Sequence, residues 1–141
     1  LLETMYPAES ASELRRLGGW LAGHGGQGVL LSGGADHEGR VRFEGYFETI
    51  AYLKELGLKV IVHTGLLDRQ TAFSLKNAGV DQALIDVIGD EETIRRVYHL
   101  RKTPADYARA LGYLQEAGIP TAPHIHRCSP AHFPLWREWA G

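Results

Sequence analysis

The sequence holds a single cysteine, Cys128. One thiol excludes an internal disulfide, and it excludes a thiolate cluster assembled from these residues alone. It fits a reducing compartment, and a cytoplasmic protein is expected. No stretch approaches the roughly 20 consecutive apolar residues of a membrane-spanning helix. The opening LLETMYPAES has no basic segment leading into an apolar run, so it does not read as a secretory signal. It also lacks an initiator methionine at position 1, and a fragment or trimmed chain is expected. An excess of one charge is missing too. Fifteen Lys and Arg face 17 Asp and Glu, for a formal net charge of −2 with the seven histidines counted neutral. That balance gives no electrostatic basis for a nucleic-acid or membrane-surface partner. GxxxxGKS is absent and no GxGxxG follows a strand, so no nucleotide phosphate cradle is expected; HExxH and the GxSxG serine elbow are absent as well.

What is present is the composition of a folded domain. At 141 residues, 44% hydrophobic and 23% charged, the chain can bury a core without a disulfide or metal to staple it. SASELRRLGGWLAGHG reads as a helix, with Ser10 or Ser12 as cap, Leu14, Leu17 and Leu21 at helical spacing, and Gly25-Gly26 as its stop. GVLLS follows as a short buried strand. FEGYFETIAYLKELG is a helix with Phe43, Phe47, Ile50 and Leu53 on its stripe, and LKVIVHTG is a strand. LDRQTAFSLKNAG, VDQALIDVIG, DEETIRRVYHL, TPADYARALGYLQEAG and IPTAPHI continue as helix, strand, helix, helix and strand. Three helices close on a glycine and feed straight into an apolar run, in ELGLKVIV, NAGVDQALI and EAGIPTAPHI. The order α-β-α-β-α-β-α-α-β is the rhythm of successive βα units. The predicted fold is α/β: a partial (β/α) TIM-type barrel of about four parallel strands with flanking helices, too few to close an eight-stranded barrel. It forms a single domain over 1–141, with its core in 25–125. An irregular tail at 126–141 keeps at most a short helix around PLWREWAG.

Ligands of parallel α/β folds bind at the carboxyl ends of the strands. Four such ends carry polar residues: Ser32-Gly33-Gly34 with Asp36 and His37, His63-Thr64-Gly65, Asp86 with Asp90, and Pro123-His124. Each has a plain alternative, since an aspartate after a strand can simply cap the next helix, as expected of Asp68 or Asp90. The glycine pair is either a turn that needs positive φ or a place where backbone approaches a ligand. His124 and His126 are expected to face opposite sides of their strand. No aspartate follows them at ligand spacing, and no metal ligand is expected. Lys102, beside Arg101, reads by itself as a solvated charge.

GVLLSGG, KVIVHTG and the segment ALIDVIGDEETIRRVYHLRKTPADYARALGYLQEAGIPTAPHI, taken in order, resemble the middle of a radical S-adenosylmethionine (SAM) enzyme of the biotin synthase-like branch. The resemblance covers roughly residues 25–125 and is most specific from Ala83 to Ile125. It implies a partial barrel holding SAM and a [4Fe-4S] cluster at the strand ends. It places Ser32, Gly33 and Gly34 where the family's GGE motif meets the methionyl amino group, with Ala35 in place of the acid and Asp36 one step later. It further implies a ribose contact for Asp86, a SAM carboxylate contact for Lys102, and a cofactor-facing position for His63. The family's CxxxCxxC is missing here, and three thiolates are needed to hold such a cluster. The resemblance therefore implies a fragment, arising from truncation or a disrupted reading frame, that does not bind the cluster and is inactive alone. The intact form would cleave SAM reductively and abstract hydrogen from a small-molecule substrate. Two other functions fit the residues: a non-radical barrel lyase, aldolase or isomerase using His63, Asp86 and His124 as acid–base groups, and a non-catalytic module that oligomerises through open sheet edges.

Overall fold

The computed structural model describes residues 5–126; Cys128 and the helix expected around PLWREWAG lie outside the described residues. The elements run α1 (Ala11–Gly23), β1 (Gly28–Leu31), α2 (Phe47–Glu55), β2 (Lys59–Thr64), α3 (Arg69–Asn77), β3 (Gln82–Ile88), α4 (Glu91–Arg96), α5 (Pro104–Glu116) and β4 (Thr121–His126). This is the order the sequence predicts. The four strands are parallel and lie in the sheet as β1-β2-β3-β4, each beside its neighbour in sequence. A doubly wound sheet reverses its strand order part way across, whereas a barrel wall steps always in one direction. The sheet is therefore a segment of barrel wall.

Local chemistry sets the element ends. Ser10 caps α1 through the Glu13 amide, Asp68 caps α3 through Thr71, and Asp90 caps α4 through Thr93. Thr103 and Asp106 form a reciprocal capping box at α5, with Pro104 at its first position. The three helix-to-strand glycines, Gly57, Gly79 and Gly118, all lie at positive φ, as the C-terminal stop of a helix demands. Two helices are shorter than the sequence predicts. A turn through Gly45 separates Phe43 from α2, although Phe43 is still buried. α4 ends at Arg96, and His99 stands at φ +54 in the turn beyond it. The run GHGGQG at 23–28 has the GxGxxG spacing, but it joins a helix to a strand, the reverse of a phosphate-binding strand-to-helix turn.

Alternation along the strands gives the sheet two unlike faces. Val60, Val62, Thr64, Ala83 and Ile85 share one face by register and are buried. α2, α3 and α5 bury their own apolar residues in the same cluster, among them Ile50, Leu53, Leu75 and Leu114. The opposite face carries Leu30, Ile61, His63, Leu84, Asp86, Ala122, His124 and His126. None of these is buried, and Leu30 is 57% exposed. In a closed barrel this would be the interior.

Candidate functional site

The polar end of the inner face is built from three neighbouring strands. β3 supplies Asp86 in the middle, directly opposite His124 of β4 in register, while His63 of β2 pairs with Leu84, one inward-facing position before Asp86. All three imidazoles approach the same oxygen, Asp86 Oδ1. His63 Nε2 lies 3.5 Å away, His124 Nδ1 3.5 Å and His126 Nε2 3.1 Å. The His63 and His124 rings are tilted against each other with centroids 6.0 Å apart. Burial pushes the Asp86 carboxyl up, but the His126 hydrogen bond and the nearby His63 outweigh it and hold the group below the usual carboxylate range.

The expectation that His124 and His126 face opposite sides is overturned. Side chains two residues apart on a strand point the same way, and both rings meet Asp86. His126 is thus a member of the cluster that the sequence reading missed, though the period of a strand was enough to find it.

A cavity of about 1210 Å³ opens on this face and is lined by His63, Asp86 and His124, by Ser32-Gly33-Gly34, and by apolar residues including Leu30 and Trp20. Neither Gly33 nor Gly34 has positive φ, so the turn explanation for the pair fails. At Gly34 a β-carbon would meet nothing within 4 Å, which leaves open space in front of the main chain. A β-carbon at Gly33 would stand 3.3 Å from Val41 Cγ1, so the bare backbone at the cavity is that of Gly34.

Asp36 and Lys102 are employed elsewhere. Asp36 Oδ1 accepts from the Glu38 and Arg40 amides at 2.9 and 3.0 Å, and Oδ2 accepts from Arg40 Nε at 3.3 Å and Arg42 Nη2 at 3.0 Å. These bonds, the Arg40 amide first, keep its carboxyl low, and they staple the loop between β1 and α2. Lys102 Nζ donates to Glu38 of that same loop. Neither residue lines the cavity, whose lining among the described residues includes Arg16 and Arg42. Gly65, at the end of β2, has a packing role: a β-carbon there would stand 2.0 Å from the Gly39 carbonyl oxygen. The Leu66 amide donates to that oxygen at 2.7 Å. Asp90 holds the Thr93 amide and hydroxyl, each at 2.7 Å, so its place at a strand end serves the helix. No helix among the described residues is long and apolar enough to cross a membrane.

No family model matches the chain, and no curated protein is significantly similar to it in sequence. Among solved structures, the chain is similar to methylornithine synthase (PylB), with 19% identity, a TM-score of 0.63 and 81% of this chain covered. The match takes in 34% of that enzyme, so the chain spans about a third of its length. A β-L-arabinopyranosidase of family GH27 from Geobacillus stearothermophilus also matches, at 12% identity over 92% of this chain and 48% of that one, but its TM-score of 0.49 is too low to carry an argument. At such identities the likeness is one of fold: a partial β/α barrel, similar to part of methylornithine synthase.

Proposed function

We propose that the chain is a segment of a radical SAM enzyme of the biotin synthase-like branch. The observation that carries this reading is the coincidence of fold and cavity. The barrel segment is similar in fold to part of methylornithine synthase, and the exposed backbone at Ser32-Gly33-Gly34 shares one cavity with Asp86. When bound, SAM supplies the adenosyl group and the cluster the electron that cleaves it. In this chain Gly33 and Gly34 would offer main-chain groups to the methionyl end of SAM, and Asp86 would accept hydrogen bonds from the ribose. Lys102 lies outside the cavity lining, and Arg42, which lines the cavity while also pairing with Asp36, is the better candidate for the carboxylate. The cluster does not fit. One cysteine cannot supply three thiolates, so no step is assigned to iron here. The reading is tested by anaerobic reconstitution of the chain with iron and sulfide in the presence of SAM. It expects no 5′-deoxyadenosine; close to four irons per chain with SAM cleavage would refute the inactive-fragment reading.

The convergence on Asp86 favours a second reading, barrel acid–base chemistry by His63, Asp86 and His124 without a radical. A carboxylate between two imidazoles can orient one ring and stabilise its protonated form. Substituting each of the three separates the proposals, because only the second has activity in this chain to lose. A non-catalytic role as an oligomerising module through the β1 and β4 edges is checked by sizing chromatography, where a monomer argues against it.

A further inference from the structure

The His63–Asp86–His124 cluster is better explained as a metal site than as a hydrogen-bonded cluster. A carboxylate oxygen has room for about two good hydrogen bonds, yet three imidazole nitrogens surround Asp86 Oδ1. The His126 contact, at 3.1 Å, is a hydrogen bond. The other two, at 3.5 Å, are longer than strong ones. Donor atoms sharing a tetrahedral metal at bond lengths of about 2.0–2.2 Å lie about 3.3–3.6 Å from each other. The His63–Asp86 and Asp86–His124 separations match that spacing, and all three donor atoms lie within 4.8 Å of one another. The donors come from three adjacent strands of one sheet, a rigid base for a metal site.

We propose that His63 Nε2, Asp86 Oδ1 and His124 Nδ1 bind one divalent first-row transition metal on the inner face of the sheet. His126 orients the Asp86 carboxylate by hydrogen bonding, as outer partners of metal ligands commonly do. Two imidazoles and a carboxylate suit Zn²⁺ and its neighbours better than Mg²⁺ or Ca²⁺, which favour all-oxygen sites. Three protein ligands beside an open cavity leave a coordination position for water or a small ligand. The inference rests on these side chains and on neither reading of the previous subsection.

The test is isothermal titration of the chelator-treated 141-residue chain with Zn²⁺, alongside His63→Ala, Asp86→Asn and His124→Ala. We expect one Zn²⁺ per chain and at least tenfold weaker binding in each variant, with His24→Ala, whose ring contacts Trp20 of α1, unchanged. Diethyl pyrocarbonate labelling of the unmutated chain with and without Zn²⁺ guards against variants that lose binding by failing to fold. We expect His63 and His124 to be protected by Zn²⁺. Absence of binding, binding undiminished in Asp86→Asn, or labelling of His63 and His124 unchanged by Zn²⁺ would each overturn the proposal.

Discussion

The two faces of the sheet follow opposite rules. On the outer face Val60, Val62, Ala83 and Ile85 are wholly buried among helix side chains. On the inner face Ile61 and Leu84 are only partly covered, Leu30 is 57% exposed, and four titratable side chains crowd one end. Hydrophobic burial therefore holds the segment together from one side. The other side is free to carry polar groups whose arrangement packing does not explain. In a complete barrel both faces would be covered; here they separate what folds the chain from what it could bind.

Substitutions across the faces should sort accordingly. Ile85→Ala removes a fully buried side chain from the outer face and should cost about 2–5 kcal/mol in urea unfolding. A loss under 1 kcal/mol would mean that this face is not the packed core. Gly65→Ala forces a β-carbon against the Gly39 main chain, and should cost about 1–3 kcal/mol by displacing the loops beyond β1 and β2. Smaller still is the tie at the other end of the sheet. Asp81 accepts from Lys54 Nζ at 2.6 Å and from the Val60 amide at 2.7 Å, and Asp81→Ala should cost about 1–2 kcal/mol. Burial raises the Asp81 carboxyl, but these two bonds outweigh it and leave the group below its ordinary 3.8. A folded-state value below the unfolded one gives stability that is complete well above pH 4 and lost as the pH falls through the folded value. Unfolding midpoints measured from pH 6 to pH 3 should thus fall less steeply in Asp81→Ala than in the parent chain. On the inner face, His124→Ala should change stability by no more than about 0.5 kcal/mol, because the ring is half exposed.

The fold was readable because its punctuation is local. Gly57, Gly79 and Gly118 end helices whatever surrounds them, and β-branched runs mark the strands between. The sequence predicts a longer helix around Phe43 because this apolar residue falls on one stripe with Phe47, Ile50 and Leu53, while the turn at Gly45 interrupts the helical path. The site was readable only in part. Ser32-Gly33-Gly34, His63, Asp86 and His124 were marked by their place at strand ends, and they do share one cavity. Their focus on Asp86 Oδ1 depends on strand register, which sets Asp86 opposite His124 and which no single stretch of sequence encodes. Asp36 and Lys102 lie outside the cavity lining for a similar reason. Their partners, Arg42 and Glu38, are fixed by the path of a long loop.

Ile85 and Asp86 are adjacent in the chain and point to opposite faces, so the pair tests the separation of fold from site most directly. The measurement is urea unfolding together with Zn²⁺ titration of Ile85→Ala and Asp86→Asn. Ile85→Ala should lose several kcal/mol of stability yet, below its unfolding transition, bind Zn²⁺ as the parent does. Asp86→Asn should lose about 1 kcal/mol or less but bind Zn²⁺ at least tenfold more weakly. Equal losses of stability in the two variants, or Zn²⁺ binding that ignores Asp86, would contradict the account.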